Sequence, residues 1–121
     1  MHELSIAESI VTNVRGVLPE DELATVREIH LRVGILSGIE PLLLQNAWSL
    51  LVAATPFPEA ELRIDPVDIE AFCSRCERSV PVVAYRFICP DCGSALNRVT
   101  AGNELHIHQI VCEDSDEETD Q

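Results

Sequence analysis

Arg27-Glu-Ile-His-Leu-Arg-Val-Gly-Ile35 is the stretch on which the fold turns. Ile29, Leu31, Val33 and Ile35 fall on one side of an extended chain, and Glu28, His30 and Arg32 on the other. This alternation predicts a strand over residues 27–35 with one face on a core and one face in water. A second strand is expected over roughly residues 60–70. There Leu62 and Ile64 share a face before the parity passes to Val67 and Ile69, a shift that a bulge at Asp65-Pro66 would explain. A third is expected where Leu105, Ile107 and Val111 alternate with Glu104, His106 and His108.

The helices stand on either side of the first strand. Leu4, Ala7, Val11, Val14 and Leu18 recur at spacings of three and four, with Ile6 and Ile10 beside them, which predicts an amphipathic helix over residues 3–18. Pro19 and the acids that follow read as a connection to residue 25. Beyond the Ser37-Gly38 turn, Pro41 suits the first turn of a second helix. That helix should run to about Ala54 and end before Pro56 and Pro58. Leu42 to Leu44, Ala47, Trp48, Leu50 and Leu51 make it apolar nearly all round, so deep burial is expected.

The strand pattern breaks off at Phe72 and resumes at Glu104, and the gap holds four cysteines. The expected fold class is therefore α+β: two helices packed on a three-stranded sheet, with an inserted zinc-ribbon-like lobe. The expected division is residues 1–70 plus 101–112 as the α/β domain, 71–100 as the lobe, and 113–121 as a disordered acidic tail without apolar anchors. At 121 residues, 46% of them hydrophobic, there is material for one aliphatic core.

Charge narrows the partners. Of the net −13, the tail from Glu113 to Gln121 accounts for −6 and the rest of the chain for −7, and every basic residue is Arg. Both parts repel phosphate backbones, which argues against nucleic acid. No run of apolar residues is long enough to span a membrane, and Glu3 and Glu8 do not fit a signal peptide. A cytoplasmic, reducing location is expected. There, five cysteines arranged as two Cys-x-x-Cys pairs and one leftover, Cys112, suit metal ligation better than disulfides. No nucleophile elbow, phosphate loop or His-Glu-x-x-His helix is present, so the chain is not expected to be an enzyme.

Cys73-Ser-Arg-Cys76 and Cys89-Pro-Asp-Cys92 each present two thiolates on one side of a tight turn, the arrangement that tetrahedral zinc requires. Gly93 follows the second pair, where such a knuckle often needs a residue that accepts positive φ. A four-cysteine shell without an open position is a staple, not a catalyst. A lobe of about 30 residues cannot close a core without one. Iron in a rubredoxin-like site uses the same ligands and stays open as an alternative.

At the other extreme, Met1-His2-Glu3 brings three nitrogens together without help from the fold: the α-amine, the His2 backbone nitrogen and the His2 ring. Donors in one plane at that spacing suit square-planar Ni(II) or Cu(II). His is too large for the usual removal of an initiator Met, so Met1 is expected to stay. The plain alternative is an exposed residue at a frayed terminus. His30, His106 and His108 could cluster if the first and third strands are neighbours, although a solvated sheet face is the simpler reading.

Residues 1–10, Met-His-Glu-Leu-Ser-Ile-Ala-Glu-Ser-Ile, resemble the opening of the HypA/HybF-type nickel metallochaperones of hydrogenase maturation. So do Arg32-Val33-Gly34, Leu36-Ser37-Gly38-Ile39-Glu40-Pro41, Ala60 to Ile64, the cysteine quartet, and Gly102 to Ile107. The resemblance covers residues 1–111 in order. It implies that His2 is required to bind nickel as cargo and that Cys73, Cys76, Cys89 and Cys92 hold structural zinc. It implies as partners a nickel-handling GTPase and the large subunit of [NiFe]-hydrogenase, with urease served in some members. Ile35 stands where many members carry an acid, a departure that touches no metal ligand. Two other classes stay open on the residues alone: a zinc-ribbon interaction module without cargo metal, and a small redox or iron protein.

Overall fold

The computed structural model describes residues 3–113. His2 and the acidic tail beyond Glu113 lie outside them. Helix α1 spans Glu3–Val17, and buries Ile6, Ala7, Ile10 and Val14, a single stripe at helical spacing. It stops before Leu18-Pro19 because proline disfavours helical backbone in the residue ahead of it. A short 3-10 turn, Glu20–Thr25, leads into strand β1, Val26–Gly34. Helix α2 spans Pro41–Leu51 with proline in its first turn, and strand β2 spans Glu61–Val67. Then come β3 (Glu70–Cys73), β4 (Arg78–Pro81), β5 (Arg98–Ala101) and β6 (Leu105–Cys112).

Two three-stranded sheets result, in the orders β2-β1-β6 and β4-β3-β5. The chain divides into two compact units. One takes the residues up to Leu31, Ile39–Ile64 and those from Ile107 onward; the other takes Arg32–Gly38 and Asp65–His106. In the first unit α1 packs on α2. The Trp48 indole donates to the Ala60 carbonyl at 3.0 Å and the Gln45 amide to that of Leu62 at 2.6 Å, which pins α2 to the start of β2. Trp48 also stacks on the wholly buried Phe57, with ring centroids 6.3 Å apart.

Three expectations need correction. The first strand ends at Gly34, not at residue 35; Ile29, Leu31 and Val33 are buried as expected, but Ile35 opens a 3-10 turn and is exposed. Helix α2 is not buried all round. Only Leu44, Ala47 and Trp48 are, while Leu42 and Leu50 are 69% and 83% exposed. One helix face meets the core, and apolar composition on the other faces does not change that. The second expected strand is β2, which ends at Val67 and not near residue 70, and a separate strand, β3, begins at Glu70.

In the second unit a core forms from Ala71, Cys73, Val80, Cys89 and Leu96, with Cys76, Val82, Phe87 and Cys92 packed against it. The Arg98 guanidinium caps the Phe72 ring at 4.4 Å. Strands β3 and β4 pair antiparallel from Glu70 opposite Pro81 to Cys73 opposite Arg78, so the first cysteine knuckle is the hairpin turn itself. A Cβ at Gly34 would collide with the backbone of Gly102, which sits at φ 111°. The Gly34 N–H donates to the Glu104 carbonyl at 2.8 Å and that of Leu36 to Gly102 at 2.6 Å, a close backbone approach that glycine permits.

Candidate metal centres

The two Cys-x-x-Cys turns are built alike. In the first, the Glu77 N–H donates to the Cys73 carbonyl at 2.7 Å and Glu77 adopts φ 58°. In the second, the Gly93 N–H donates to the Cys89 carbonyl at 2.9 Å and Gly93 adopts φ 79°. Each chain reversal turns both sulfurs of its pair to the same side. The left-handed residue expected at Gly93 is there, and its counterpart is a glutamate. Arg78, directly after the first knuckle, pairs with Asp91 inside the second.

The sulfurs converge. Cys73 Sγ and Cys92 Sγ are 3.6 Å apart and Cys76 Sγ and Cys89 Sγ 3.8 Å, with all four within 4.8 Å of one another. Four thiolates at about 2.3 Å from a tetrahedral zinc sit about 3.8 Å from each other, so the quartet has the dimensions of a zinc site. Its chemistry fits too, since soft thiolates in a tetrahedron select zinc or iron. Cys73 and Cys89 are buried and the other two half-buried, so the shell is closed apart from one edge. The sulfurs differ in acidity. Contact with Ser94, whose hydroxyl lies 3.3 Å away, brings Cys92 down to about 6, while hydrogen bonding with Cys92, burial and the other sulfurs push Cys76 up to about 12. Ser94 carried no signal in the sequence beyond its place after the second knuckle.

At the start of α1, the Glu3 carboxylate accepts the Glu40 N–H at 3.2 Å, just ahead of the first turn of α2. The Glu3 side chain thus ties the beginnings of the two helices together. His2 lies outside the described residues.

On the polar face of the first sheet, β1 and β6 are neighbours, and His30 and His108 come together with ring centroids 5.8 Å apart. His106, an exposed residue of β6, is not one of that pair. Glu28 joins His30 at 2.8 Å and Arg63 at 3.3 Å. The hydrogen bond with His30, and after it the Arg63 charge, hold its carboxyl below the usual range. Glu28 was legible only as a residue of the polar face. Cys112, at the end of β6, is half-buried.

A family model described as "Hydrogenase/urease nickel incorporation, metallochaperone, hypA" matches residues 1–112. The chain belongs to the HypA family. The hydrogenase maturation factor HypA of Methylocella silvestris is 37% identical to it over 93% of this chain and 100% of its own. That of Roseiflexus sp. (strain RS-1) is 36% identical over 94% of each. Among solved structures, the solution structure of the nickel metallochaperone HypA from Helicobacter pylori aligns with a TM-score of 0.64 over 93% of this chain and 98% of its own, at 20% identity. A second HypA solution structure aligns with a TM-score of 0.68 over 93% and 96%, also at 20% identity. These likenesses show that the α+β fold of this HypA-family chain is a HypA fold. No helix among its described residues is long and apolar enough to cross a membrane.

Proposed function

We propose that this HypA-family chain carries Ni(II) at its N-terminus and delivers it for insertion into [NiFe]-hydrogenase, while zinc on Cys73, Cys76, Cys89 and Cys92 serves only for shape. The carrying observation is the closed quartet. Its four sulfurs are spaced to satisfy one tetrahedral ion among themselves, so a cargo ion that must enter and leave needs a different donor set. The family match supplies the cargo, nickel, and takes in Met1 and His2. The Met1 amine, the His2 backbone nitrogen and the His2 ring have the sequence spacing that a planar Ni(II) chelate needs.

The work is divided accordingly. Residues 71–100 form the zinc lobe, and residues 1–70 with 101–112 carry the nickel site. The receiving partners are a nickel-handling GTPase and the hydrogenase large subunit. The chain acts in the cytoplasm, where thiols stay reduced and available to zinc. It catalyses no reaction of its own.

The test is calorimetric nickel titration of untagged protein, the His2→Ala variant, and a form whose amine is blocked by an N-terminal tag. Strong binding in the untagged protein and the loss of that high-affinity event in the other two, with zinc content unchanged, is the expected result. Equal affinity in all three would place the nickel site elsewhere.

A further inference from the structure

The His30–His108 pair has the features of a chelate. The two residues stand on adjacent strands, their rings meet edge to face at 83°, and their ring nitrogens lie within 4.8 Å of one another. Two imidazoles bound to one ion at about 2.0–2.1 Å, on adjacent sites of a square or octahedron, have nitrogens about 3 Å apart. The ring nitrogens of this pair fall within 4.8 Å, a range from which a bound ion can draw two ligands together. Glu28 supplies orientation. When His30 Nε2 donates its proton to the Glu28 carboxylate, Nδ1 is the nitrogen that can take a metal. Arg63, 3.3 Å from the other oxygen of Glu28, holds that carboxylate in turn. Carboxylate, imidazole and metal in that order are the common arrangement around metal-binding histidines.

We infer that His30 and His108 form a second site for a divalent transition metal, of bis-imidazole chemistry and open to solvent, which takes Ni(II) in this chain. Imidazole nitrogen suits nickel, copper and zinc, whereas the thiolate quartet selects softer tetrahedral ions, so the two sites differ in what they hold. His108 is exposed, so water reaches the ion and it is exchangeable. Glu28 is a positioning residue. The inference does not rest on the N-terminal nickel site.

The experiment uses the full-length zinc-loaded protein carrying His2→Ala, which removes the N-terminal chelate, titrated with NiCl2. This parent should bind one nickel. Adding His30→Gln or His108→Gln should weaken that binding at least about tenfold, and adding Glu28→Gln should weaken it by roughly 10- to 100-fold. Adding His106→Gln should change nothing. Zinc content and circular dichroism report folding. If the His30 variant fails to fold, the exposed His108 position decides. A parent that binds no nickel, or equal binding in the parent and the His108→Gln variant, overturns the inference. Loss of all nickel binding on His2→Ala would do so while leaving the N-terminal site standing. Nickel binding indifferent to His2→Ala but lost in the His30 and His108 variants would remove the N-terminal site and keep this one.

Discussion

Glu77 and Gly93 occupy equivalent places after the two cysteine pairs, both with positive φ and both donating to the carbonyl of the first cysteine. A side chain in the left-handed region costs roughly 1–2 kcal/mol, which glycine avoids. Gly93→Ala should therefore destabilise the zinc-loaded protein by about 1 kcal/mol, read from the denaturant midpoint. Glu77→Gly should be neutral or stabilising by up to about 1 kcal/mol, since the relieved strain competes with the greater freedom of glycine in the unfolded chain. A Gly93→Ala variant as stable as the wild type would show that the second knuckle tolerates a Cβ without cost. The need at Gly93 was legible in the sequence because glycine announces it. The same need at Glu77 was not, because nothing about a glutamate marks a left-handed residue. The converse held at the sulfurs: the spacing of the four cysteines made the ligand set readable, yet the contact of Cys92 with Ser94 required the folded turn.

Whole elements were readable where burial follows a period. β1 alternates from Ile29 to Val33 as expected, and α1 is a helix with one buried stripe, although that stripe runs through Ile6, Ala7, Ile10 and Val14 and leaves Leu4 exposed. Helix α2 misled, since leucine at successive positions hides which face meets the core. A test separates the faces. Trp48→Ala should cost about 3–5 kcal/mol through the lost packing on Phe57 and the lost bond to Ala60, whereas Leu50→Gln should stay within about 0.5 kcal/mol. Comparable losses would mean that the outer face of α2 is covered after all. The short strands β4 and β5 escaped the sequence reading because four residues each are too few for alternation to register. Ahead of β6, the Glu104 carboxylate accepts the Gly102 N–H at 2.7 Å, which holds its pKa below 4.5. A lowered folded-state value means that the unfolded chain binds more protons in the window just below pH 4.5. Stability from this group is therefore present above about 4.5 and is lost as pH falls through the folded value. Between pH 5 and 3 the unfolding midpoint should fall more steeply for the wild type than for Glu104→Gln. Parallel curves would mean that the carboxylate makes no difference between the folded and unfolded chain.

At the scale of the molecule, zinc and nickel should fail in different ways. Structural zinc can contribute roughly 10 to 16 kcal/mol of apparent binding free energy, more than a lobe of this size can gain from its few buried side chains. Cys76→Ser should consequently lose the single tightly held zinc and unfold the lobe, seen as collapsed amide dispersion for residues 71–100, while residues in α1, α2 and β1 keep theirs. An intact lobe without zinc would refute the staple. His2→Ala should do the opposite, keeping zinc and fold and losing cargo. Nickel binding by the unaltered terminus should also weaken as pH falls below about 8, because the metal must displace protons from an α-amine with a reference pKa near 7.7–8.0 and an imidazole near 6.5. In cells the two variants should converge on one phenotype from separate causes. A carrier raises the local supply of nickel and does not create the capacity to insert it. Cells lacking this chain should thus lose most hydrogenase activity and regain it when the medium holds excess nickel. Re-expressed Cys76→Ser should fail through low protein level, and His2→Ala at normal protein level. Unchanged hydrogenase activity in the deletion, in a strain with no second copy of the family, would rule out the delivery role.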